Sequence, residues 1–197
     1  MLRRTATGAS PICREWRIAD DKRGRDRAWT RTPIRQGSTW TREPTMTQEL
    51  DDRPRHWCFG CGKLNTEGLC IEFEVDGMKV EGRFVTRDSH QGFPGVTHGG
   101  IAATAMDEAM GWAMYAAGAW AMTAKMEVKY RKAIPLNEEL VVTAGVVRDR
   151  GRMLEAVAEI RSLAGDRLAE AKALFVRLPR DKEQELQEFF LGEGSPA

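Results

Sequence analysis

Residues 98–108, His-Gly-Gly-Ile-Ala-Ala-Thr-Ala-Met-Asp-Glu, constrain this chain more than any other stretch. Two glycines open a run of helix formers that continues past Met110, Trp112 and Met114 to Ala117. Across residues 99–124 the only charged side chains are Asp107 and Glu108. A helix that is apolar on nearly every side belongs in a core. An ionised carboxylate placed there is costly unless it is paired or used. Asp107 is therefore the first candidate for a functional group. Glu108 points roughly 100° away around the helix and is expected to meet solvent or a salt bridge.

The flanking sequence says what can bury this helix. After Gly68, Leu69, Ile71, Phe73 and Val75 alternate with Cys70, Glu72 and Glu74, and Asp76-Gly77 signals a hairpin. Val80, Gly82 and Phe84 continue in a second strand. Residues 88–97 are rich in turn formers and lead into a helix over 98–117, with Gly118 as its C-cap. Four more strands follow: one around Met126, Val128 and Tyr130, then 140–148, 154–161 and 169–175. Short turns between these four predict an antiparallel meander. Residues 181–191 read as a short terminal helix. One helix and about six antiparallel strands have to bury each other. The fold class is α+β, one long central helix wrapped by the sheet, with small residues from Gly99 to Ala113 permitting close approach.

The domain occupies residues 55–180, with a C-terminal helix and tail at 181–197. Residues 1–54 are expected to be a disordered extension, because they carry no hydrophobic period. Residues 1–45 hold 11 Lys/Arg against 5 Asp/Glu, so the extension is basic and the remainder mildly acidic. Organised sequence begins just after Met46, which makes Met46 a candidate for the true start. The net charge of +1 gives no bulk case for nucleic acid. No charge-free apolar run reaches the roughly 18 residues of a membrane span, and no secretory signal is visible. Four cysteines without an export signal predict free thiols in the cytoplasm.

Cys58 and Cys61 have the spacing of half a zinc site. His56 and Cys70 could complete a set, but there is no second Cys-x-x-Cys. The expectation is a tight turn with two buried thiols and no metal.

From Arg55 to Pro179 the chain resembles the hotdog-fold acyl-CoA thioesterases, and most nearly their phenylacetate-degradation (PaaI-type) branch and its relatives with a Cys-Phe-x-Cys-Gly opening. The resemblance rests on His98-Gly99-Gly100 with Asp107 nine residues after the histidine, on Gln91-Gly92-Phe93-Pro94-Gly95, and on Thr123. It implies hydrolysis of acyl-CoA thioesters to free acid and CoA, no cofactor beyond the coenzyme A of the substrate, and a homodimer or dimer of dimers with interfacial active sites. Helix geometry points the same way. Asp107 lies seven residues beyond Gly100, a rise of roughly 10 Å, so one chain's helix start and its own Asp107 cannot grip one carbonyl. An antiparallel pair of chains would bring them together twice.

Thioester hydrolysis needs a donor for the carbonyl oxygen and a base or nucleophile. The helix N-terminus offers free N–H groups and partial positive charge. Gly99, aided by Gly100, is the candidate oxyanion donor, glycine allowing close approach. Asp107 would activate water or attack directly. His98 could contact the acyl carbonyl or hold the loop. The resemblance gives Thr123 a bond to the attacking water or to Asp107. Strand parity, however, puts Thr123 with Lys125 and Glu127 on the polar face unless a bulge intervenes. Many PaaI-type members carry Asn about six residues before the histidine; here Gly92 stands there, so that either Gln91 beside it substitutes or Thr123 suffices. Arg131 and Lys132, beside Lys129, are candidates for the CoA phosphates. Met106, Met110, Met114 and Trp112 are expected in the core. Two rival readings remain: a hotdog acyl-thioester dehydratase or hydratase using His90 or His98, and a non-catalytic acyl-CoA-binding module.

Overall fold

A computed structural model describes residues 56–191, with side chains for residues 56–187. The expectations for residues 1–54 and for the tail beyond 191 lie outside the described residues. Six strands and two helices follow in order: β1 (Glu72–Asp76), β2 (Lys79–Val85), α1 (Gly99–Ala116), β3 (Ala121–Tyr130), β4 (Glu139–Asp149), β5 (Met153–Ser162), β6 (Arg167–Arg177) and α2 (Arg180–Leu191). A single 3-10 turn, Asp88–His90, sits between β2 and α1. The strands make one antiparallel sheet in the order β1-β2-β4-β5-β6-β3.

The central helix lies where its composition requires. Met106, Met110 and Met114 are fully buried among Leu140, Val142, Leu154, Ile160 and Phe175. Each such side chain contributes about 1.5–3 kcal/mol relative to exposure. These methionines are core, as expected. Ala102, Ala105, Ala109 and Ala113 are buried on the same helix, and their small volumes let α1 approach the sheet closely. Gly118, with φ +69°, closes the helix as expected.

Two expectations need correction. The last four strands do not form one meander. β4, β5 and β6 do, but β3 pairs with β6 and β4 pairs with β2. The segment 131–138 is a crossover rather than a tight turn. Ile134 is buried in it, its carbonyl accepts from Thr97 N–H at 2.8 Å, and Pro135 bridges to Val96. These contacts carry the chain back past the start of α1 and leave β3 at the sheet's edge.

The first strand also begins at Glu72 rather than at Leu69. The N–H groups of Leu69 and Ile71 donate to the carbonyls of Phe59 (2.7 Å) and Gly60 (2.9 Å). That backbone is therefore committed to the 58–62 turn. Cys58 and Cys61 carry free thiols. Among the described residues, no helix is long and apolar enough to cross a membrane.

Candidate active site

The site is built on α1 and on the two segments that flank its start. His98 is the N-cap, and its Nδ1 accepts the Gly100 N–H at 3.0 Å. This satisfies one of the orphan donors of the helix. The Gly100 amide, expected to aid Gly99, is occupied by this cap in the structure. With Nδ1 accepting, the neutral ring carries its hydrogen on Nε2. His98 is exposed. Among the described residues no acceptor takes the Gly99 N–H.

Tyr130, read from the sequence only as an alternating strand residue, meets the start of the helix. Its hydroxyl donates to the Gly99 carbonyl at 2.7 Å. A Cβ on Gly99 would lie 3.1 Å from Tyr130 Cζ and from its hydroxyl oxygen. The tyrosine thus packs edge strand β3 against the first turn of α1. The only signal in the sequence was the alternation of Met126, Val128 and Tyr130.

At mid-helix, Thr123 Oγ1 donates to Asp107 Oδ1 at 2.7 Å. Parity alone would turn Thr123 away, but the β3–β6 register shifts between Thr123 and Lys125. Ala124 is the bulged residue. Thr123 therefore stands opposite buried Phe175, while Met126 and Val128 stand opposite Ala173 and Ala171. All of them share the face that meets the helix. Asp107 is half-buried beside an exposed strand, so one carboxylate oxygen is oriented by the threonine.

The loop before the helix is braced internally. Gln91 Oε1 accepts the Gly95 N–H at 3.0 Å, and the Gly92 N–H donates to Val96 at 2.9 Å. A Cβ on Gly92 would sit 3.0 Å from His98 Cα. Gly92 therefore lets the loop press on the cap residue. His90 is buried beneath this loop. Its Nδ1 accepts the Arg87 N–H at 3.2 Å, and its Nε2 pairs with the Glu67 carbonyl at 3.1 Å. Burial, then the neighbouring Arg87 charge, holds its pKa below the usual histidine value against the opposing pull of Glu67. Both ring nitrogens serve the scaffold, which removes His90 as the base of a dehydratase. Arg131 pairs with Glu170 and Lys132 with Asp166 on the surface, so neither stands ready as an unpaired phosphate contact.

Glu108 is half-buried and meets two thiols instead of a salt-bridge partner. Its Oε1 accepts from Cys61 Sγ at 2.8 Å and its Oε2 from Cys58 Sγ at 3.2 Å. Burial, then the nearby Cys58 sulfur, pushes the Glu108 carboxyl up to about 7. The hydrogen bond with Cys61 draws Cys58 down to about 5, while the same bond and burial drive Cys61 upward. The ligand atoms of Cys58, Cys61 and Glu108 lie within 4.8 Å of one another. The turn covers the helix side that a period-based reading assigns to water.

Comparison with known proteins gives this geometry a context. Residues 94–169 match the family described as the thioesterase superfamily. The chain is 37% identical over 121 residues to acyl-coenzyme A thioesterase THEM4 of Mus musculus, covering 59% of this chain and 52% of that protein. It is 33% identical over 172 residues to the THEM4 protein of Bos taurus, covering 82% of this chain and 71% of that one. The chain thus spans about half the length of the mouse relative. Among solved structures, it resembles a hypothetical thioesterase from Streptococcus pneumoniae crystallised with coenzyme A. That likeness has a TM-score of 0.53 at 19% identity and covers 55% of this chain and 85% of that one. At that identity the likeness speaks for the shared fold.

Proposed function

Because this chain belongs to the thioesterase superfamily, we propose that it hydrolyses acyl-coenzyme A thioesters, with Asp107 as the group that delivers water. The observation that carries this reading is the Thr123–Asp107 hydrogen bond beside an exposed sheet edge. A carboxylate whose one oxygen is held by a hydroxyl presents the other to water in a fixed direction. Asp107 takes a proton as the water oxygen bonds to the thioester carbon. The carbonyl oxygen becomes an oxyanion facing the Gly99 N–H and the positive end of α1. The His98 Nε2–H is a second donor to the same oxygen. Collapse of the tetrahedral intermediate breaks the C–S bond and returns the proton to the departing CoA thiolate.

The oxyanion donor and Asp107 that act together belong to different chains. Asp107 stands about 10 Å along the helix from its own Gly100. β3 offers ten residues at a free edge among the described strands, and such an edge is blunted by pairing with a second copy. A C2 pair joined there holds two equivalent sites. The PaaI-type branch is the finer placement we favour, on the spacing of His98, Gly99, Gly100 and Asp107.

The test is thiol release from a panel of aliphatic and aromatic acyl-CoAs. The wild type should turn over at least one of them, and Asp107→Ala should not. Hydrolysis by Asp107→Ala at the wild-type rate would falsify the assignment. A wild type that binds acyl-CoA without releasing thiol would make the protein a binding module instead. Single-turnover reaction in 18O-water, with digestion of the protein afterwards, separates the roles of Asp107. Label in the aspartate marks a nucleophile.

A further inference from the structure

Cys58, Cys61 and Glu108 form a cluster that thioester hydrolysis does not use. The turn that carries the cysteines is closed by the Gly62 N–H donating to the Cys58 carbonyl at 2.9 Å. It is tied to the following segment through the Phe59 and Gly60 carbonyls. Its glycines have steric reasons. A Cβ on Gly62 would lie 2.5 Å from Cys58 backbone atoms, and one on Gly60 would lie 2.4 Å from Glu108 Cγ. The turn is therefore shaped to lie on Glu108 itself, with both sulfurs reaching its two oxygens.

The charge at this place lacks a counterpart. Among the described residues Glu108 takes part in no ion pair, and Asp107 adds a second acid at the adjoining position. Two thiols converging on a carboxylate are a donor set for a soft divalent cation. In a tetrahedral zinc site, Zn–S near 2.3 Å and Zn–O near 2.0–2.2 Å place neighbouring ligand atoms about 3.5–3.8 Å apart. The three atoms here already fall within 4.8 Å. Opening each sulfur–oxygen contact by less than about 1 Å gives that geometry.

We propose that Cys58 Sγ, Cys61 Sγ and the Glu108 carboxylate bind one zinc ion, with water as the fourth ligand. Binding displaces to solvent the protons that the two sulfurs and the carboxyl group still carry. The metal clamps the 58–62 turn onto α1 one residue beyond Asp107. This replaces the expectation of a metal-free turn drawn from the cysteine spacing, in which the third ligand could not be seen. It is a structural clamp, independent of which reaction the protein catalyses.

The test uses the full chain, purified with reductant, stripped with chelator and titrated with Zn(II) or Co(II). Wild type and Asp107→Asn should each bind one equivalent, and Co(II) should give the thiolate charge-transfer and tetrahedral d–d bands. Zinc should raise the melting temperature of both. Cys58→Ser and Cys61→Ser should lose the charge-transfer intensity and the zinc-dependent rise. Glu108→Gln keeps the size of the side chain, so circular dichroism should report an intact fold while stoichiometric binding is lost. The proposal is overturned if reduced wild type binds Co(II) no better than Cys58→Ser/Cys61→Ser. It is equally overturned if Glu108→Gln binds like wild type, or if the purified protein carries a Cys58–Cys61 disulfide that takes up metal neither before nor after reduction. Because Asp107→Asn reads out metal without turnover, a failure here is distinguishable from a failure of the thioesterase reading.

Discussion

Thr123 Oγ1 donates a 2.7 Å hydrogen bond to Asp107 Oδ1, joining the edge strand of the sheet to the middle of the central helix. The bond exists because Ala124 is bulged out of the β3–β6 ladder. Removing the donor while keeping the shape isolates its effect. Thr123→Val should lower kcat by about 10–100-fold, since a hydrogen bond to a charged group contributes about 1.5–3 kcal/mol. Circular dichroism should report an unchanged fold. A Thr123→Val enzyme with wild-type kcat would mean that Asp107 is oriented by something else.

Gly99 and Gly111 lie on the same helix and should respond in opposite ways. A Cβ at Gly99 meets Tyr130 at 3.1 Å, whereas one at Gly111 meets nothing within 4 Å. Gly111→Ala should stabilise the helix by about 0.5–1 kcal/mol with activity unchanged. Gly99→Ala should displace the tyrosine and crowd the carbonyl, lowering kcat by about tenfold or more. Denaturant titration and steady-state kinetics on the two variants read both effects.

His98 does two separable things. Its Nδ1 caps the Gly100 amide, and its Nε2–H is the second oxyanion donor of the proposed mechanism. His98→Ala should lose the cap, at a cost of about 1 kcal/mol in stability, along with the donor. His98→Asn restores a capping oxygen and should recover stability but not rate. Recovery of both would leave the histidine with a capping role alone.

His90 sets an acid limit on stability. Its pKa is held below the usual 6.5 in the folded protein, while the unfolded chain takes up a proton near 6.5. The unfolded state therefore binds more protons as pH falls through that window. The contribution of His90 is complete above about pH 6.5 and is lost progressively below it. Melting temperatures from pH 7.5 down to pH 5 should fall more steeply for wild type than for His90→Gln. Parallel profiles would exclude His90 as the cause.

If each site is completed by the partner chain, activity depends on assembly. Specific activity per chain should fall on dilution, in step with dissociation followed by light scattering. A rate per chain that stays constant down to the monomer would place the whole site in one protomer.

How much of this was legible beforehand differs from residue to residue. The helix over 99–116 and the strands could be read because alternation and helical composition report which side of an element is buried. Asp107 stood out as a candidate for the same reason, as one of two adjoining acids in a stretch otherwise apolar. His98, Gly99 and Gly100 were legible as the start of a helix, but not the division of labour among them. Whether a histidine ring turns back onto Gly100 depends on a rotamer that spacing does not encode. Tyr130 was overlooked because an alternating strand residue carries no mark of the helix terminus it will meet.

Local spacing alone dictates the parts: a helix apolar enough to require a sheet around it, two adjoining acids in its buried stretch, and a glycine pair at its start. Those follow from local spacing and from the cost of burying charge. Tertiary structure decided the pairings. The buried crossover at Ile134 sent β3 to the edge, and one bulged alanine turned Thr123 toward Asp107. The turn at Cys58–Cys61 folded onto Glu108 from 47 to 50 residues away. Contacts between distant segments are chosen by how whole elements pack, and no periodicity within a single element records its partner.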